Sequence, residues 1–213
     1  MKFTNVFLKK SKTMVDMIEN SLLTDFAEYI IKDEPDVRND NTSLRCQVIH
    51  NNAFTIPSGG RGHAPVWHVD DPLQLVILEP GKTLPDYMEL LVLVATYMIW
   101  LLDCEKPENG PTYVVPGSHR FGHIIDPSLA ESMGISTCGK AGTVVLINCN
   151  LWHRGCNNSS DKPRETLQIS FARRIIGHEF KTIMNYSMPD YVFSDRHPKT
   201  LERLGFLQGG AYS

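Results

Sequence analysis

The sequence predicts a mainly β protein, a sandwich or barrel with helices flanking it at the two ends of the chain. Between residues 44 and 176, turn signals recur at Pro57-Ser58-Gly59-Gly60, Asp71-Pro72, Pro80-Gly81, Asn109-Gly110-Pro111, Pro116-Gly117 and Gly139–Gly142. Short apolar runs lie between them: LQLVIL, LLVLVATYMIWLL, TYVVP, TVVLIN and TLQISFA. No intervening segment is long enough for a crossover helix, which excludes a Rossmann-type parallel sheet and favours a sandwich or barrel.

The elements follow in order. Residues 13–32 place Met14, Met17, Ile18, Leu22, Phe26, Tyr29 and Ile30 at helical spacing, with Thr13 as N-cap and Asp33-Glu34-Pro35 as the stop. This predicts one long helix. A polar loop, DEPDVRNDNTS, leads into the alternating segment LRCQVIHNN, where the β core begins. The apolar run Leu90–Leu102 reads as a long strand or a strand pair; its 13 residues are too few to span a bilayer. In the tail, HPKTLERLGF predicts a helix starting near Pro198 and stopped by Gly205. No second domain is visible, so residues 1–213 read as a single domain with a β core at about 44–176.

Composition narrows the function classes. A chain of 213 residues can bury a sufficient core without disulfides or a structural metal. The net charge of -3, the pI near 6.2 and the scattered Lys and Arg give no footprint for nucleic acid. Five cysteines, without a C-x-x-C pair, predict reduced thiols and a cytoplasmic setting. The N-terminal stretch has no apolar core of signal-peptide length, and no membrane association is expected.

The chemistry starts at PVWHVDDPL, residues 65–73. Side chains alternate along a strand, so His68 and Asp70 project from one face and can close on one ion. With a distant imidazole they would form a 2-His-1-carboxylate triad, which leaves coordination positions open on Fe(II). The third ligand has to come from His50, His63, His119, His123, His153, His178 or His197. His153 directly follows the strand TVVLIN and a short turn. His119 and His123 sit in PGSHRFGH, whose glycines and proline disfavour a helix, so His119 reads as a loop residue bracing its turn. His178 and His197 fall outside the β core. Beyond His153, alternation in RETLQISFARR sets Arg164, Thr166, Gln168 and Ser170 on one face and Leu167, Ile169 and Phe171 on the other. Such a polar row is usually a solvent face, but an arginine heading it can instead point into a barrel and grip a carboxylate bidentately.

Four stretches carry a family resemblance: WHVDD, IWLLDCEKPENGPTYVVPGSHRFGH, AGTVVLINCNLWHRGC and KPRETLQISFA. Together, and in this order, they resemble the phytanoyl-CoA dioxygenase family of Fe(II)- and 2-oxoglutarate-dependent oxygenases. The resemblance implies a double-stranded β-helix, a cupin-like jelly roll with iron at one open end. It implies His68, Asp70 and His153 as the metal ligands and catalytic centre. The family's 2-oxoglutarate arginine usually lies eleven residues after the distal His, which here is Arg164. Thr166, one side-chain step along the same face, would support that carboxylate. Two positions depart from the pattern. Val69 stands where relatives often have Gln, and Gly155 stands where a hydroxyl residue is usual, so the resemblance carries no cosubstrate contact to either.

The expected activity is hydroxylation or desaturation of a small-molecule substrate, consuming O2 and 2-oxoglutarate and releasing succinate and CO2. Asp70 occupies the position a halogenase would leave vacant, which disfavours halogenation. The segment 72–90 is expected to form a lid or a substrate wall. Two other readings compete: a cupin-type metalloenzyme that does not use 2-oxoglutarate, and a non-catalytic jelly-roll binding module.

Overall fold

A computed structural model of the chain describes residues 2–4, 12–31, 46–70, 79, 82–88, 90–122, 124–173, 176, 190–194 and 198–205. The strands are β1 (Lys2–Thr4), β2 (Cys46–Ile56), β3 (Val94–Trp100), β4 (Thr112–Val114), β5 (Ile135–Ser136), β6 (Val144–Asn148), β7 (His153–Gly155) and β8 (Arg164–Arg173). The helices are α1 (Lys12–Glu19), α2 (Ser21–Ile31), α3 (Pro127–Met133) and α4 (Pro198–Arg203). One sheet has the order β1-β2-β8-β3-β6 and the other β5-β4-β7. From β3 onward the chain shuttles between the sheets: β4 and β5 in the small one, β6 in the large, β7 in the small, β8 in the large. That alternation makes the fold a double-stranded β-helix, as the resemblance implies.

The long strands form where β-branched and aromatic residues cluster. In β3, VATYMIW, every residue is buried. The apolar run 90–102 therefore contributes one strand, with Leu91, Leu101 and Leu102 outside it and exposed. In β8 the polar row is not a solvent face: Arg164, Thr166 and Ser170 are all buried, as are Leu167, Ile169 and Phe171 opposite.

Packing divides the chain into two compact units. The first comprises residues 1–2, 53–91 and 96–168; the second comprises 3–52, 92–95 and 169–213. In the first, Met98, Val114 and Ile147 form one apolar cluster, and Trp67, Val115, Ile125 and Ala130 form another. Its loops are tied by Asn158, 1% exposed, whose carboxamide donates to the carbonyls of Ile56, Pro57 and Lys162.

In the second unit, α1 packs against α2 and α4. The Arg203 guanidinium bonds the Ile18 carbonyl and Glu28, while Thr200 donates to Glu19. The expected single helix over 13–32 is two helices broken at Asn20, and Thr13 lies inside α1 rather than capping it. Asn20 is the cause: its side-chain oxygen accepts from the Leu23 N–H at 3.4 Å and its carbonyl accepts from Thr24, so it caps α2. The tail helix α4 runs as expected, and Gly205 follows it with φ +88°. The expected stop at 33–35, the apolar run LQLVIL and His123, His178 and His197 lie outside the described residues.

Candidate metal and cosubstrate site

Main-chain pairing builds the site, all of it within the first unit. His68 and His153 form an isolated antiparallel bridge, each N–H bonding the other's carbonyl at 2.9 Å. The Asp70 N–H then bonds the Cys149 carbonyl at 3.2 Å, extending the same pairing. On the far side, β7 pairs with β4 in the register Thr112↔Gly155, Tyr113↔Arg154 and Val114↔His153. The rings of His68 and His153 sit 4.3 Å apart, inclined at 48°. One ligand atom from each of His68, Asp70 and His153 lies within 4.8 Å of the other two.

The tautomer of each imidazole follows from a local contact. His68 Nδ1 lies 2.8 Å from the Val66 carbonyl and His153 Nδ1 2.9 Å from the Leu151 carbonyl. A carbonyl only accepts, so both Nδ1 atoms carry the proton and donate it. The two Nε2 atoms are left facing the same carboxylate oxygen, Asp70 Oδ1, at 3.5 and 3.6 Å. In neutral rings these are lone pairs aimed at an anion, an arrangement a cation between them resolves. Two imidazoles and one carboxylate, half open to solvent on the Asp70 side, fit Fe(II) with vacant positions. Burial works to raise the Asp70 pKa, but when the two rings also carry a proton on Nε2 their hydrogen bonds and charge outweigh it and hold the carboxyl well below the usual range. The Asp70 contact in turn raises the His68 imidazole against the opposing effect of burial.

Arg164 and Thr166 stand two residues apart on β8. The Arg164 side chain donates from Nη1 to the Gly110 carbonyl at 2.6 Å, and its guanidinium carbon lies 5.5 Å from the Trp100 ring centre. Its Nε has no hydrogen-bond partner, nor has Thr166 Oγ1, although both atoms are buried. Among the described residues no carboxylate pairs with Arg164. Burial accordingly lowers its pKa. Arg154 and Arg173, the next arginines along the chain on either side of Arg164, are engaged. Arg154 forms a two-pronged pair with Glu131 and lies over the rings of Trp67 and Tyr113, while Arg173 bonds the carbonyls of Val92 and Ile31.

Gly155 is explained by packing. A Cβ there would collide with the His63 carbonyl, and the Gly155 N–H bonds the Ala64 carbonyl at 3.0 Å. Segment 62–64 thus occupies the space a hydroxyl side chain would need. Sequence reasoning missed Ser118. Its buried Oγ accepts the Trp152 N–H at 2.8 Å, and the Val115 N–H bonds the Trp152 carbonyl at 2.9 Å. The residue before His153 is thereby held on both sides. The signal was present in VVPGSH, because Gly117 takes φ +77° and turns the serine inward. His119 lies partly buried in the 3₁₀ turn Ser118–Arg120, where burial lowers its pKa, and it joins no metal cluster among the described residues.

Fold and site together define a jelly-roll chain with a triad open to a metal. The iron-bound crystal structure of EctD from S. alaskensis superposes with a TM-score of 0.60 at 22% identity, covering 97% of this chain and 65% of that one. The same protein with 2-oxoglutarate and 5-hydroxyectoine gives 0.59 at 24% identity, covering 81% and 56%. HygX from Streptomyces hygroscopicus with nickel and 2-oxoglutarate gives 0.58 at 12%, covering 81% and 72%. The phytanoyl-CoA dioxygenase (PhyH) family pattern matches residues 2–166, and the chain belongs to that family. Curated relatives include the ectoine dioxygenase of Sphingopyxis alaskensis, 26% identical over 181 residues, 73% of this chain and 52% of the relative. That of Bordetella parapertussis is 32% identical over 143 residues, 54% of this chain and 43% of the relative. The chain therefore spans about half the length of these relatives.

Proposed function

We propose that the chain is an Fe(II)- and 2-oxoglutarate-dependent dioxygenase acting on a small molecule. His68, Asp70 and His153 hold the iron, and Arg164, supported by Thr166, binds the distal carboxylate of 2-oxoglutarate. Iron bound there supplies the activation of O2 for oxidising a substrate C–H bond, with 2-oxoglutarate ending as succinate and CO2. The protein's own part is to hold three donors facing inward, keep one side open, and orient the cosubstrate by a charge it has already buried.

One observation carries the cosubstrate assignment: a buried guanidinium with an orphaned Nε, beside an orphaned buried hydroxyl. An unpaired buried cation costs stability unless an anion joins it. A dicarboxylate supplies that anion, with an acceptor for the Thr166 hydroxyl as well. A metalloenzyme without 2-oxoglutarate, or a non-catalytic jelly roll, gives no reason for such an arginine. The test is anaerobic: adding 2-oxoglutarate to Fe(II)-loaded protein should produce a weak visible metal-to-ligand charge-transfer band. Well-folded, metal-loaded protein without that band would rule the cosubstrate out.

A further inference from the structure

The turn that carries Ser118 carries a second long-range contact at its other end. Arg120 Nη2 donates to the carbonyls of Leu84 at 2.9 Å and Pro85 at 2.7 Å, and meets Asp86 Oδ1 at 3.1 Å. The Leu84 N–H bonds the Arg120 carbonyl at 2.8 Å, so one residue grips both main-chain groups of Leu84. The Leu84 side chain is buried, 3% exposed, while Tyr87 beyond it is 86% exposed. Within the turn, Arg120 N–H bonds the Gly117 carbonyl and Phe121 N–H bonds that of Ser118, making 118–120 one stiff unit. Its opposite end holds the Trp152 N–H through Ser118 Oγ. A continuous chain of short bonds therefore runs from Leu84, through Arg120 and Ser118, to the residue before His153.

We propose that Arg120 is a positioning residue for the metal site, coupling segment 84–87 to His153 through the Ser118–Arg120 turn. This rests on the metal assignment made above. A rigid linkage works in both directions: if the segment orients His153, metal binding must steady the segment by the same factor. The carboxylate of Asp86 is fully exposed, so its ion pair with Arg120 adds little. The two carbonyl bonds and the main-chain Leu84 N–H bond carry the linkage, and a side-chain substitution at Arg120 removes only the first two.

Mn(II) is the probe, with binding read by electron paramagnetic resonance and the segment read by chymotryptic cleavage after Tyr87. In the unaltered protein, Mn(II) should bind and slow that cleavage. Arg120→Ala should weaken Mn(II) binding about threefold to tenfold, the usual size of coupling through a packed network, and lessen the protection. Arg120→Lys, which can still donate to the carbonyls, should restore part of both, whereas Asp86→Ala should change neither. Ser118→Ala, cutting the linkage at the other end, should weaken Mn(II) binding without further loss when combined with Arg120→Ala. The coupling is overturned if Arg120→Ala binds Mn(II) as tightly as the unaltered protein, or if the two losses simply add. If Arg120→Ala does not fold, the Arg120→Lys and Ser118→Ala measurements decide alone. Failure of the unaltered protein to bind Mn(II) would overturn the metal assignment itself, and the coupling with it.

Discussion

His68 and His153 face each other as a hydrogen-bonded pair across two otherwise separate stretches of chain, their main-chain N–H and C=O groups exchanged at 2.9 Å. Because side chains alternate along a strand, a slip of one residue would exchange His153 for Trp152 or Arg154. The β7 pairing with β4 and the grip of Val115 and Ser118 on Trp152 prevent that slip. The site is thus assembled by backbone, and its side chains can be altered one at a time.

Asp70→Ala removes a proposed ligand but none of that pairing, since only the Asp70 N–H takes part in it. The variant should keep its circular dichroism spectrum and lose Mn(II) binding and succinate formation. Full succinate production would refute the ligand assignment.

Arg164→Ala should raise the 2-oxoglutarate requirement by about 10- to 100-fold, the range for losing a charged hydrogen bond, with iron affinity nearly unchanged. Arg164→Lys should rescue poorly, because an ammonium cannot reproduce the guanidinium fork. Titrating 2-oxoglutarate against Fe(II)-loaded protein measures both. Equal losses of iron and 2-oxoglutarate affinity would count against the role.

Thr166→Val makes a prediction of opposite sign in the two states. The Thr166 hydroxyl is buried with no hydrogen-bond partner in the chain, so a methyl in its place should raise the melting temperature measured without 2-oxoglutarate. The same variant should bind 2-oxoglutarate several-fold more weakly, by the loss of about 1 kcal/mol of hydrogen bonding. A variant that melts lower and binds normally would show the hydroxyl to be structural.

Gly155→Ser should destabilise the protein by about 1–3 kcal/mol, the usual cost of overpacking, because the new Cβ meets the His63 carbonyl. Thermal melts of the ligand-free protein check this, and an unchanged melting temperature would mean that segment 62–64 yields freely.

The parts legible in the sequence were those encoded by short-range pattern. Alternation set His68 and Asp70 on one face, and Pro198 and Gly205 bracket the last helix. The break at Asn20 was also local, a cap residue hidden inside a continuous apolar stripe. The burial of the polar row in β8 depends on what packs against it, and periodicity reads the same for a solvent face and a buried one. The Ser118–Trp152, Arg120–Leu84 and Gly155–His63 contacts join residues 34, 36 and 92 positions apart, where a serine, an arginine or a glycine announces nothing by itself.

Each imidazole is steered by a carbonyl two residues back along the chain, not by the acid it faces. The contacts that aim the rings are therefore made by the chain itself. Loading becomes a docking event instead of a folding event, and an emptied protein should wait intact, refilling on contact with metal at no cost in chain refolding. Added Mn(II) should then lift the melting temperature only by mass action, in proportion to the logarithm of its concentration.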